Sequence, residues 1–373
     1  MKALSKSKLA AAMGAGFLAA SLSSTVSAQG FDMGNGWKGN VGLQLQTFVV
    51  SGDESISNAE ATRVMSGFDP SKLTIGVTAP ETDGVTVSGT YQLVSSIHGS
   101  QDSGKGDGSP GKFGVRVAEL AIAGDFGTVK AGRGWGIFSS SSLIHDSGSL
   151  PGVGGVCKGG DFGTVDGNGF GGCGRIGYGY QWTDFAPAVQ YASNNFGGVS
   201  FRVGLFDPIS SGAAGDSAES PRFEGEVNFN SKAFDVWASF ANQSTEGDEE
   251  ISAADVGGEF RIAGLALTAA YTTGTGIEGG FMSPNDPDLD TSFWYAEADY
   301  KIGKLLIGAS YGENEDEFSG TVVEEGALTM FFVHYNLTPN TTLVLEISNE
   351  ENEILGTKTF DQDIIALGAQ VVF

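Results

Sequence analysis

Two cysteines, three histidines and a cluster of aspartates are the residues with the most obvious chemical capacity in this chain of 373. Cys157 and Cys173 lie in a glycine-rich stretch, Gly132 to Asp184, and the sequence holds no third cysteine. Together with His145 they cannot fill the four-ligand shell of a structural zinc, so in an exported chain they read as a disulfide. Closing a loop of that size is worth roughly 3 kcal/mol in the chain-entropy model. Gly169 to Gly174 matches G-x-G-x-x-G, but it follows no buried strand and opens no helical pattern, which makes the match a coincidence of composition. Asp286, Asp288, Asp290 and Glu297 have the spacing of calcium-loop ligands. Thr291 nevertheless stands where that loop turns on a glycine, and Pro287 interrupts it, so only a looser divalent-cation site at Asp286, Asp288 and Asp290 remains open. No G-x-S-x-G elbow accompanies His98, His145 and His334. Bond-making chemistry is not what these residues are arranged for, and the chain reads as a non-enzyme.

The elements that carry them begin after residue 28. Lys2, Lys6 and Lys8, the apolar run Leu9 to Leu22 and the small residues Val26-Ser27-Ala28 form a cleavable secretory signal over residues 1–28, with a mature domain at 29–373. No later run reaches the ~18 apolar residues of a membrane-spanning helix. Twenty Lys+Arg stand against 45 Asp+Glu, a formal charge of −25. That balance excludes nucleic acid as a partner, because phosphate binding needs a basic face. With 58 glycines beside many Val, Ile, Phe, Tyr and Thr, strands and turns are favoured over helices.

From Trp37 onward the hydrophobic period is two. Phe223, Val227 and Phe229 oppose Glu224, Glu226 and Asn228, and the same alternation organises Trp294 to Ile302 and Ile365 to Phe373. About 16 such runs follow one another under the alternation rule. Short turns such as Asp83-Gly84, Ser231-Lys232 and Gly303 interleave with long polar connections, including those carrying the acidic runs Glu246 to Glu250, Glu313 to Glu317 and Glu350 to Glu353. Strands with one apolar and one polar face, short turns on one side and long loops on the other, predict an all-β transmembrane antiparallel barrel. A closed barrel is also the only sheet that leaves no unpaired backbone edge in lipid. The long stretch 134–184 then reads as a third loop folded into the lumen, since a connection of that length in a compact domain is functional or disordered.

Several segments resemble the trimeric general porins of Gram-negative outer membranes. Val115 to Trp135 (VRVAELAIAGDFGTVKAGRGW) resembles that family's arginine-bearing strand and the entry to its third loop. Pro151 to Gly155 (PGVGG) resembles the tip of that loop, and Ala188 to Phe206 and Tyr335 to Leu345 resemble two of its hairpins. The terminal Phe373 resembles the aromatic end read by the barrel-assembly machinery. The resemblance implies a homotrimer of diffusion channels in the outer membrane. It further implies a field at the eyelet between basic wall residues and acidic residues of the third loop. Carried onto this sequence, Arg116 and Lys72 are the basic wall, joined by Arg133 and Arg175, while Asn40 stands where some relatives have lysine. PGVGG lacks the acidic residue often found beside that proline, so Asp146, Asp161 or Asp166 is expected in its place. Glu119 falls on the outward face if Arg116 points inward, which suggests a subunit interface there.

The acidic loops imply a cation-attracting rim and, through the resemblance, Ca2+ or Mg2+ bridging to lipopolysaccharide. The expected function is passive diffusion of ions and small hydrophilic solutes with a mild cation preference. A substrate-specific channel and a non-conducting adhesin or structural anchor are the rival readings.

Overall fold

The computed structural model describes residues 29–95, 97, 114–156, 172–208, 220–244, 250–278, 283–284 and 288–373. The strands of the first half are β1 (Gln29–Gly34), β2 (Trp37–Glu54), β3 (Ala59–Met65), β4 (Ser71–Thr78), β5 (Thr86–Ser95), β6 (Gly114–Gly124), β7 (Gly127–Trp135), β8 (Gly155–Val156), β9 (Gly172–Gly174), β10 (Phe185–Ala192) and β11 (Val199–Phe206). The second half holds β12 (Arg222–Asn230), β13 (Phe234–Ser244), β14 (Glu250–Ile262), β15 (Leu265–Thr275), β16 (Ile277–Glu278), β17 (Ser283–Pro284), β18 (Leu289–Ile302), β19 (Leu305–Phe318), β20 (Thr321–Thr338), β21 (Thr341–Ile354) and β22 (Thr357–Val372). Every pairing in the main sheet is antiparallel, and β2 pairs with β22 from Gln44↔Val372 to Glu54↔Gln362, which closes the sheet on itself. β3 and β4 lie end to end along β2, and β1 extends the β22 side beyond Phe373. The 18-stranded sheet is thus a barrel of 16 positions.

Side-chain alternation explains why it closes. Along β13, Asp235, Trp237, Ser239, Ala241 and Gln243 are buried while Phe234, Val236 and Phe240 are exposed. On β2 the buried Gln44 and Gln46 alternate with exposed Leu45 and Val49. A soluble sheet buries the opposite set; here the apolar face meets lipid and the polar face meets the lumen. Aromatic pairs such as Trp294–Tyr311 at 5.6 Å and Phe229–Phe234 at 5.5 Å belong to the outward face, as expected of residues at membrane interfaces.

Two turn pairs depart from the sequence expectation. Glu313 to Glu317 and Glu350 to Glu353 do not lie in long loops: they continue β19 and β21, which return through the two-residue turns Ser319-Gly320 and Leu355-Gly356. Ser319 and Leu355 have φ of 49° and 50° and their glycines 78° and 70°, the left-handed pair that closes a hairpin without splaying its strands. Once a strand leaves the membrane both faces meet water, so the period-two signal fades although the ladder goes on. Strands β19, β20 and β21 therefore run on past the stretch that the alternation marks in each.

Candidate functional site: a loop fastened across the lumen

β7 ends at Trp135 and β10 begins at Phe185, and the intervening loop is closed at its neck by the Gly136 amide donating to the Asp184 carbonyl at 2.8 Å. Serine and glycine dominate the loop, which leaves many backbone N–H groups to be satisfied. The barrel wall satisfies them with inward-facing carboxylates. Glu224 of β12 accepts from the Ile137 and Phe138 amides at 2.6 and 2.9 Å. Glu297 of β18 accepts from Ser147 and Gly148 at 2.9 and 3.3 Å, and Glu346 of β21 from Val153 and Gly154 at 2.9 and 3.1 Å. Hydroxyls add two further attachments, Ser141 Oγ to Glu226 and Ser142 Oγ to Asp255, at 2.7 and 2.6 Å. The loop therefore spans the lumen from β12 to β21. All of these bonds but the Ser147–Glu297 one are buried.

The PGVGG tip shows why glycine is required. A Cβ on Gly152 would collide with Glu346 Oε1, and Gly154 adopts φ +68° against the backbone of Gly174. The loop helix Ser140–Ile144 carries His145 at its end. The ring stacks on Trp237 at 4.3 Å, its Nδ1 meets the Ser141 carbonyl at 2.7 Å and its Nε2 meets Asp235 Oδ2 at 3.3 Å. Burial disfavours the charged ring, but the bonds to Asp235 and Ser141 and the charge of Glu259 outweigh it and raise the pKa above 6.5.

A basic group faces this loop from β4 and β6. Lys72 Nζ lies 2.6 Å from Asp69 Oδ2, and Arg116 Nη1 lies 3.9 Å from Asp69 Oδ1. The Arg116 guanidinium also sits 5.6 Å from the Trp182 ring and 5.1 Å from that of Phe185, within cation–π reach. Gln92 is opposite Val117 and Leu93 opposite Val115, so Arg116 is the extra residue of a β-bulge. The bulge resets the alternation. Arg116 and Val117 are both buried, and Glu119 turns to the lumen to meet Lys130 at 3.3 Å. The expected outward Glu119 at a subunit interface is corrected by that single inserted residue. With Arg202 and Glu226, Glu119 and Lys130 line a cavity of about 380 Å³ below the loop.

The remaining expected site residues are placed differently. Arg175 is fully buried, donating to the Leu328 carbonyl at 2.9 Å and to Ser310; it fixes the loop to the wall. Arg133 stands in register with Ala118 and Pro187 on the outward side of β7 and donates to the Val115 carbonyl at 3.1 Å. Gly134, one residue on, takes the inward position beside Glu119. Asp146 is buried within the loop, accepting from Tyr180 Oη at 2.7 Å and the Ser149 amide at 3.0 Å. Burial, with Asp146 next, pushes the Tyr180 hydroxyl well above its ordinary range, so it stays a donor. Cys173 is buried and disulfide-bonded. Cys157, Asp161, Asp166 and Asp286 lie outside the described residues. Asp290 heads β18 and accepts from Thr275 Oγ1 at 2.8 Å. The terminal Phe373 exchanges both backbone bonds with Leu43, at 2.8 and 3.1 Å, with its ring exposed.

Sequence reasoning missed Asp69 and the carboxylates that hold the loop. Glu224, Glu226, Asp255, Glu297 and Glu346 all sit at inward positions of period-two strands, and that placement was the available signal.

A closed barrel that is apolar outside, polar inside and crossed by an anchored loop is an outer-membrane channel protein. The model of the Gram-negative porin family matches residues 9–355, and the chain belongs to that family as a multi-pass β-barrel of the outer membrane. No curated protein matches it by sequence. Among solved structures it is similar to an anion-selective porin from Comamonas acidovorans, with TM-score 0.66 and 15% identity over 90% of this chain and 100% of that one. Outer-membrane expressed OmpT of Vibrio cholerae matches with TM-score 0.61 and 15% identity over 92% and 100%. OmpF of Salmonella typhi, in complex with daunomycin, matches with TM-score 0.60 and 13% identity over 92% and 100%.

Proposed function

We propose that the protein is a non-enzymatic diffusion channel for ions and small hydrophilic solutes, mildly cation-selective, and constricted by the loop between β7 and β10. The observation that carries the selectivity is the pairing of basic lumen residues. Lys72 meets Asp69, Lys130 meets Glu119, Arg202 meets Glu226 and Arg222 meets Glu224, at 2.6, 3.3, 2.7 and 2.6 Å. Further carboxylates, Glu259 and Asp316, also stand at inward positions of their strands. With the sequence at −25 overall, the field along the solute path is negative and concentrates cations. Selectivity then differs in sign from that of the anion-selective relative.

The channel acts as a homotrimer in this reading, supported by family membership and by the V. cholerae OmpT structure described as a trimer form. Its outer surface meets lipopolysaccharide where Glu313, Glu315, Glu325, Glu351 and Glu353 line one outward groove beside Trp294. Glu315 is opposite Glu325 and Glu325 opposite Glu353 in the ladder, an arrangement that Ca2+ or Mg2+ would relieve. The exposed ring of Phe373 is the group offered to the barrel-assembly machinery in this reading. Reversal potentials across planar bilayers in a potassium chloride gradient test the selectivity: a cation-side potential is expected, and an anion-side potential would overturn it.

A further inference from the structure

Resting on the channel reading, we propose that His145 is the positioning residue of the constriction loop. Its imidazolium is clamped between the Ser141 carbonyl and the Asp235 carboxylate with Glu259 close by, and the loop helix is held in one place on the wall while the ring keeps its second proton.

The hydrogen-bond directions require that proton. Nδ1 faces the Ser141 carbonyl at 2.7 Å, and a carbonyl only accepts, so Nδ1 carries a hydrogen. Nε2 faces Asp235 Oδ2 at 3.3 Å, and that carboxylate already accepts from Arg261 Nη1 at 2.9 Å and from Asn230. A neutral ring would aim an Nε2 lone pair at an acceptor. A charged ring donates at both ends and lays its positive face on Trp237, 4.3 Å away and within 15° of parallel.

The surroundings come from three wall strands. β13 contributes Asp235 and Trp237, and β14 contributes Glu259 and Arg261. From β12, Glu226 holds the same helix through Ser141 Oγ and is itself paired with Arg202. Lys130 and Glu119 close the far side of the shared cavity. Ligand atoms of His145, Asp235 and Glu259 lie within 4.8 Å of one another, a spacing that suits a metal ion. Arg261 nevertheless binds both carboxylates, so the positive charge there is supplied by side chains and a proton serves better than an ion.

The pH dependence has a definite sign. Because the folded pKa is raised, the clamp is complete on the acid side and is lost as pH rises through that value. Loss frees the end of the helix while Ser139, Ser141 and Ser142 still tether its start through Ser239, Glu226 and Asp255.

Two measurements decide it. Single-channel recordings of the purified protein from about pH 5 to about pH 9 should give closures several-fold more frequent at the alkaline end. In His145→Gln the frequency should stay at the alkaline level throughout; a His145→Gln profile that follows the wild type would overturn the proposal. Histidine hydrogen–deuterium exchange on the folded wild type, read on the His145 peptide, needs neither a variant nor conductance. A midpoint above 6.5 is expected, and a midpoint at or below it overturns the clamp. A protein that passes the exchange test yet conducts nothing would sink the channel reading instead.

Discussion

Glu224 carries more of the constriction than its type suggests. One carboxylate satisfies the amides of Ile137 and Phe138 and also meets the buried Arg222 at 2.6 Å. Glu224→Ala strands that guanidinium and two amides, and is expected to destabilise by about 3–5 kcal/mol, the range for a broken buried pair. Denaturant unfolding of the purified barrel measures it, and a loss under about 1 kcal/mol would show that water replaces the carboxylate. Gly152→Ala is smaller in chemistry and similar in logic: its methyl group collides with the Glu346 carboxylate, so either that carboxylate swings off the Val153 and Gly154 amides or the tip shifts. Overpacking of that kind costs about 1–3 kcal/mol. Channel recordings should read it as a changed and noisier conductance, with no change of charge to confuse the result.

The extended hairpins govern the outer rim. β19, β20 and β21 align Glu315, Glu325 and Glu353 side by side on one face, and like charges directly opposite are destabilising by about 0.2–1 kcal/mol per pair. Glu325→Gln should therefore raise the unfolding temperature in chelator, and added Mg2+ should stabilise the wild type more than the variant. Equal response to Mg2+ would remove the rim as a cation site. Such features mark the limit of what the sequence made legible. Lipid-facing strands were readable because one face had to be apolar, and the 16-fold count followed from that alone. Strand ends beyond the membrane were not, since nothing forces alternation where both faces are wet. Arg116 and Lys72 were legible as inward residues. The bulge that turns Glu119 inward, and the partner Asp69, depend on a one-residue register shift that pattern cannot place. Asp146 lies on the loop and Asp161 and Asp166 lie outside the described residues, while the wall adds Glu224, Glu297 and Glu346 as acceptors for the loop's N–H groups.

For the molecule as a whole, these pieces form a barrel whose sheet is continuous and whose lumen is divided by a loop that the wall grips at several points. In the proposed channel a loop so held is the constriction, and solute passage is set by the space beside it and by the sign of the charges left over. A wild-type preference for potassium over chloride is expected, and neutralising Asp69 should weaken it by removing the partner of Lys72 and Arg116. The most direct test is the single-channel conductance of the purified protein in planar bilayers, wild type beside Gly152→Ala. A steady, ohmic wild-type conductance that becomes different in size and noisier in the variant is the predicted result. No ion conductance from correctly folded wild type, or identical traces from the two proteins, would contradict a channel constricted by a wall-anchored loop.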